Sequence, residues 1–358
     1  MTGRRARRSL PRPGLPATGQ RRRSCERWSG WGMQMATTRP PARRARPRWP
    51  MVLMAIIGLL AAAAAGIWYW ATTTGSAATL EWIDVGFSRS RAVELVAGAA
   101  YGDHAAQRVE LWQPVGGGDA GKPLIVFYHG GGWHSGAPED YRFIARTFGE
   151  LGYPVALAGY RLVPDGRYPA MMEDSAAALG AIRRLAAAHR LPADRVVLIG
   201  HSAGAYNAVM LALEPRWLAA AGVPESVVAG AIGLAGPYDF YPFTSDSGRN
   251  AFGHLPDPEV SQPINHLRAD TPPLLLLTGD ADTVVRPRNS RVLEAALTRL
   301  GAPVTRQEFA GMGHAGIIMQ LSRPFRRDGS VLAAIERFLA QLPGAPAASP
   351  PVQRRTGQ

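Results

Sequence analysis

Three short stretches of this chain hold side chains suited to nucleophilic catalysis. The first, Gly200-His201-Ser202-Ala203-Gly204, sets a serine between two glycines. Alone it says little: with 40 glycines among 358 residues, a G-x-S-x-G pattern arises by chance about 0.2 times in such a chain. The second, TGDADTVV (278–285), offers two carboxylates, Asp280 and Asp282. The third, GMGHAGI (311–317), places His314 in a glycine-flanked loop. A serine hydroxyl is a weak nucleophile until a base takes its proton, and an imidazole base needs a carboxylate to fix its tautomer and stabilise the imidazolium. The chain order Ser, Asp, His supplies all three groups. We expect Ser202 as nucleophile, His314 as base and then acid, and Asp282 as the orienting carboxylate. Asp282 is chosen because it lies deeper in its loop, before an apolar turn. Asp280 is the alternative, with loop bracing as its other role.

A fourth stretch, HGGGW (129–133), bears on the charge that such an attack develops. Three glycines after a strand leave backbone N–H groups free to point into a cavity. Gly131 and Gly132, together with the N–H of Ala203, are the expected oxyanion donors. His129 is expected to pin the loop by hydrogen bonds. Trp133 is either the floor of the acyl pocket or a packing residue, and Tyr238 is a second candidate for the pocket wall.

These residues need elements to carry them. Continuous apolar runs at 124–129, 154–160, 195–200, 229–236 and 273–279 read as strands buried on both faces, the pattern of a parallel sheet. Helical patterns at 140–151, 170–189, 203–213, 288–300 and 330–341 alternate with them. That alternation predicts an α/β fold, a mostly parallel central sheet with helices on both faces. Each reactive stretch follows a strand, and in such sheets ligands bind beyond the strands' carboxyl ends. Ser202 stands between a strand and a helix, the context that distinguishes a nucleophile from a capping serine. Antiparallel edge strands are expected within 79–115. Residues 240–270 show no clear period and read as an excursion over the sheet.

The charge is divided unevenly. Residues 1–50 hold 14 arginines and one acid, Glu26, whereas residues 51–358 are balanced at 26 basic and 26 acidic residues. The net charge of +13 therefore belongs to the tail, and the balanced remainder argues against nucleic acid as the partner. Residues 1–50 lack apolar periodicity and read as a disordered tail, unless Met33, Met35 or Met51 is the true start. Residues 51–70, MVLMAIIGLLAAAAAGIWYW, carry no charge and would span about 30 Å as a helix. Arginines crowd one end and Trp68-Tyr69-Trp70 the other, which predicts a single-pass anchor with the tail in the cytoplasm and all that follows outside. A cleaved signal peptide, leaving a secreted protein, is the alternative. Cys25, the single cysteine, lies in the tail, so the rest of the chain has neither disulfides nor cysteine–zinc sites. The expected division is 1–50 tail, 51–70 anchor, 71–100 linker and first edge elements, 101–342 catalytic domain and 343–358 a second disordered tail.

The stretches HGGGW, GYRLVPDGRYPAMMED (159–174), GHSAG, GPYDF (236–240), GDADTVV and GMGH together resemble the α/β-hydrolase carboxylesterases, the group that includes hormone-sensitive-lipase-like esterases and feruloyl and acetyl xylan esterase-like proteins. The resemblance runs from about Tyr101 to Leu342. It implies a serine esterase acting on a small-molecule ester of short, acetyl-type acyl groups, with no metal or organic cofactor. Within the group it lies nearer the acetyl- and feruloyl-esterase side, because GDADTVV replaces the acidic loop of the lipase-like members. Arg161 and Asp174 match structural polar positions. Two other readings stay open: an arylformamidase-type amidase with the same triad, and a catalytically silent hydrolase fold used for binding. Nothing in the sequence signals an oligomeric state.

Overall fold

The computed structural model describes residues 48–73, 77–87, 92–119, 121–326 and 329–344. The expected tails at 1–50 and 343–358 therefore lie almost wholly outside the described residues. The chain divides into two units, Met1–Ile56 and Ile57–Gln358. Of the first, the described part is the segment from Arg48 into helix α1 (Trp49–Thr73). The window Trp49–Gly66 is long and apolar enough to cross a membrane, a property that signal sequences share.

The second unit is built on an eight-stranded sheet. Its strands are β1 (Val93–Ala100), β2 (Arg108–Pro114), β3 (Leu124–Tyr128), β4 (Val155–Ala158), β5 (Val196–His201), β6 (Val228–Leu234), β7 (Leu274–Gly279) and β8 (Val304–Phe309), in the order β1-β2-β4-β3-β5-β6-β7-β8. β1 and β2 pair antiparallel and β2 joins β4 antiparallel; every other pair is parallel. All five apolar runs read from the sequence form strands, and the edge pair falls inside 79–115 as expected.

Alternate residues of the central strands feed two cores. Val126, Leu198 and Leu276 face one side, covered by α4 (Ala170–Ala188), α5 (Ala203–Leu213), α6 (Arg216–Ala220) and α8 (Arg288–Arg299). Phe127, Ile199 and Leu277 face the other, covered by α3 (Arg142–Glu150) and α10 (Ser330–Gln341). Period-two side chains on strands sealed by helices on both faces explain why these runs are continuously apolar.

One segment departs from the expectations, and the excursion is given its form. Within 71–100, helix α2 (Ala77–Phe87) precedes the edge strands. Leu80 enters the second core. Glu81 and Asp84 turn inward, and both pair with Arg146 of α3 at 2.8 Å. Asp84 also accepts from the Ser322 hydroxyl and the Arg323 N–H. The excursion 240–270 is ordered around α7 (Asp246–Phe252), capped by the Ser245 hydroxyl, with 3-10 turns at Pro258–Ser261 and Pro263–Asn265. Its anchor is Phe252, fully buried among Trp133, Tyr206, Phe240 and Phe243. The segment lacks a period because single aromatic side chains, rather than a repeating face, hold it down.

Candidate active site

β5 delivers Ser202 to a tight turn before α5. Its backbone takes φ 54° and ψ −119°, a conformation that costs a non-glycine residue about 1–3 kcal/mol. Flanking contacts enforce it. A side chain at Gly200 would run into the Gly204 backbone, and one at Gly204 would meet the carbonyls of Tyr128 and His129. The Ser202 N–H donates to Leu234 O at 2.8 Å, and the hydroxyl does not cap α5. That leaves the Oγ free to face the cleft.

His314 follows β8, the edge strand three places from β5 in the sheet, as the first residue of α9 (His314–Met319). Its Nε2 lies 2.9 Å from Ser202 Oγ and its Nδ1 2.8 Å from Asp282 Oδ2. A carboxylate only accepts hydrogen bonds, so Nδ1 carries the ring proton and Nε2 is left to accept from the serine hydroxyl. Asp282, buried in the loop after β7, is held in turn: its Oδ1 accepts from the Val284 and Val285 N–H groups, both at 2.9 Å. Asp280 instead accepts from the Gly311 N–H at 2.7 Å and braces the two loops against each other.

The HGGGW loop follows β3. Gly131, Gly132 and Trp133 have φ of 118°, 59° and 62° in succession, a run the two glycines adopt without strain and Trp133 only under the hold of its buried ring. Gly131 O accepts from the His134 and Ser135 N–H groups, and Gly130 N–H donates to the Tyr141 hydroxyl. His129 is buried, donates from Nδ1 to Gly130 O at 2.8 Å, and stacks on Tyr160 at 4.3 Å. Burial lowers its pKa to about 4, so it is a neutral brace. Among the described residues, the N–H groups of Gly131, Gly132 and Ala203 have no protein acceptor.

An open cleft of about 1090 Å³ brings Gly131, Gly132, Ser202, Ala203 and His314 together. Trp133 lies in its wall, yet is almost fully buried. Its ring meets Phe252 and Tyr206 edge-on, and its Nε1 donates to Asn207 Oδ1 at 3.3 Å. It both lines and packs. Tyr238 is a correction: it is absent from the cleft wall and has 0% exposure. Its hydroxyl lies over Gly233 and Gly236, whose missing side chains make the room. The neighbouring Phe240 and Tyr241 line the cleft instead. Arg161 and Asp174 form a two-point ion pair at 2.8 Å that ties the loop after β4 to α4, away from the cleft.

Two contributors went unread in the sequence. His201, inside GHSAG, is buried with its ring 5.0 Å from that of His314, and its Nε2 lies 3.3 Å from His314 O. Burial, and secondarily the neighbouring His314, lowers its pKa to about 3, so it does not compete for the proton. The first turn of α2 walls one side of the cleft through Ala77, Ala78 and Leu80. Its signal was present: two acids set into an apolar run, spaced to share one helix face. Among the described residues no cluster of His, Cys, Asp or Glu could hold a metal ion.

The BD-FAE family model matches residues 110–297. An Arabidopsis thaliana isoprenylcysteine alpha-carbonyl methylesterase is 25% identical over 241 residues, covering 62% of this chain and 56% of that protein. A Streptomyces hygroscopicus acetyl-hydrolase is 30% identical over 208 residues, covering 53% of this chain and 67% of that one. The chain thus spans between half and two thirds of the length of these relatives. Esterase B from Lactobacillus rhamnosis, in a structure with a tributyrin phosphonate, aligns at a TM-score of 0.63 and 21% identity, over 79% of this chain and 95% of that one. This likeness carries the α/β-hydrolase fold.

Proposed function

The chain belongs to the BD-FAE family, and from that premise we propose that it is a serine carboxylesterase of short-chain, acetyl-type esters. The observation that carries this reading is the hydrogen-bonded series Ser202–His314–Asp282, at 2.9 and 2.8 Å, beside three backbone N–H groups without protein acceptors. Ser202 Oγ attacks the acyl carbon while His314 Nε2 takes its proton. The carbonyl oxygen becomes an oxyanion held by the N–H groups of Gly131, Gly132 and Ala203. His314 returns the proton to the alcohol oxygen as the C–O bond breaks, leaving an acyl-serine. Water, deprotonated by the same imidazole, then releases the acid and regenerates Ser202. Asp282 holds the tautomer that makes Nε2 the base. The aromatic floor beside the oxyanion loop, Trp133 backed by Phe252, supports small acyl groups. The name of the acetyl-hydrolase relative points the same way.

We place α1 as a membrane anchor, with the hydrolase domain on the extracytoplasmic side and the arginine-rich tail in the cytoplasm. The uncharged, exposed window Trp49–Gly66 supports the first part and the arginines before it the second. The test of the chemistry is labelling by a fluorophosphonate together with p-nitrophenyl acetate hydrolysis. Ser202→Ala should abolish both, and a Ser202→Ala chain that still turned over the ester would end the proposal.

A further inference from the structure

Helix α2 turns its charges inward and leaves apolar side chains on its outer face. Its two charged residues, Glu81 and Asp84, face the protein and share Arg146. Its outer surface is apolar: Trp82 is 77% exposed, Val85 55% and Phe87 64%. Trp82 and Val85, three residues apart, share one face of the helix. Isolated exposed apolar side chains are ordinary, but a helix in water normally turns its charges outward. Here the charges are spent on docking the helix, and the outer face keeps none.

Chain continuity limits how far α2 can lie from the apolar helix. α1 ends at Thr73 and α2 begins at Ala77. Four Cα–Cα steps cover at most about 15 Å, so the start of α2 lies within that distance of the end of the apolar helix. The same first turn of α2 walls the cleft that holds Ser202. Two further exposed apolar side chains, Val284 and Tyr241, stand in the wall of that cleft.

Resting on the reading of α1 as an anchor and of the cleft as an esterase site, we propose that the outer face of α2 lies in the lipid interface and that the cleft takes membrane-borne esters. The substrate class is an amphiphile whose long apolar part stays in the bilayer while its short acyl ester reaches Ser202. Tryptophan suits this boundary, where an apolar ring and a polar N–H are both satisfied.

The test uses the full chain reconstituted into phosphatidylcholine vesicles, with two acetate esters as probes. p-Nitrophenyl acetate reaches the cleft from water; hexadecyl acetate is held in the vesicle. The double variant Trp82→Glu, Val85→Glu should lower acetate release from hexadecyl acetate by about tenfold or more and leave p-nitrophenyl acetate unchanged. Trp82→Phe, Val85→Leu should keep both. Independently of activity, a fluorophore on Val85→Cys, in a chain with Cys25→Ser, should be quenched by lipids carrying a quencher at the headgroup–acyl boundary. Equal hydrolysis of hexadecyl acetate by the glutamate variant, or an unquenched fluorophore, overturns the proposal. So does a fall from dimer to monomer in that variant, because the face then belongs to a second copy. Loss of p-nitrophenyl acetate hydrolysis in the unmutated chain with quenching intact would instead fault the esterase reading.

Discussion

Asp282→Asn isolates the electronic role of the carboxylate from its place in the fold. Oδ1 accepts two backbone N–H groups, from Val284 and Val285, both at 2.9 Å. An asparagine must keep its carbonyl oxygen there, because the flipped amide would set its NH2 against two donors. The NH2 is then left facing His314 Nδ1, where Oδ2 stood at 2.8 Å. It donates, so Nδ1 must accept and the ring proton moves to Nε2. His314 then presents a proton to Ser202, where it needs a lone pair. Carboxylate-to-amide changes of this type in serine proteases lower kcat about 10⁴-fold, a barrier increase of about 5.5 kcal/mol. Folding is nearly untouched, since the amide oxygen keeps both backbone hydrogen bonds. The assay is kcat/KM for p-nitrophenyl acetate, with the melting temperature as control. Asp280→Asn serves as the paired control: its bond to the Gly311 N–H is equally available to an amide oxygen, and activity should stay within roughly threefold. An Asp282→Asn enzyme within tenfold of wild type, or an Asp280→Asn enzyme as damaged, would refute the assignment.

Other perturbations follow from neighbouring contacts. Gly131→Ala puts a methyl group on the Ser135 backbone at a φ of 118°; kcat should fall about 10²–10³-fold, and wild-type kcat would count against Gly131 as a donor. Arg146→Ala strands Glu81 and Asp84 in a largely buried position. Urea unfolding should show a loss of about 3 kcal/mol, and KM should rise as the α2 wall loosens. Stability should also fall in acid. His129 and His201 sit near 4 and 3, below the ordinary 6.5, because burial disfavours the charged ring. The unfolded chain takes up these protons below its own pKa and the folded chain does not, so stability is full above 6.5 and is lost as the pH falls. The slope is at most about 2.7 kcal/mol per pH unit for the pair, and His129→Asn should make the profile shallower. Finally, p-nitrophenyl acetate should be preferred over N-formylkynurenine in kcat/KM; the reverse order would favour the amidase reading.

What could be read from the sequence followed from how local each cause was. The five apolar strands were legible because burial on both faces leaves a continuous run that no exposed element imitates. That Ser202, Asp282 and His314 would meet was legible because each follows the carboxyl end of a parallel strand. Chain order alone therefore brought together residues 112 and 32 positions apart. Tyr238 was misread because its sequence neighbours line the cleft and only the gap over Gly233 and Gly236 turns its ring inward. That gap belongs to β6 and the turn after it, not to the GPYDF motif as a whole.

Helix α2 failed for a different reason, which bears on function. An amphipathic reading assumes that water covers the charged face. In α2 the charges face Arg146 and the apolar side chains face out, so the rule points the wrong way. A sequence that contradicts the rule for water is consistent with a helix whose outer solvent is not water. An alternation reading finds only the edge strands behind it, because Leu80 and Ile83 face inward while Trp82 and Val85 face outward, which leaves no single apolar stripe. The element that sequence reasoning missed is thus the one that joins the candidate anchor to the wall of the Ser202 cleft, and its inverted face makes the identity of that solvent measurable.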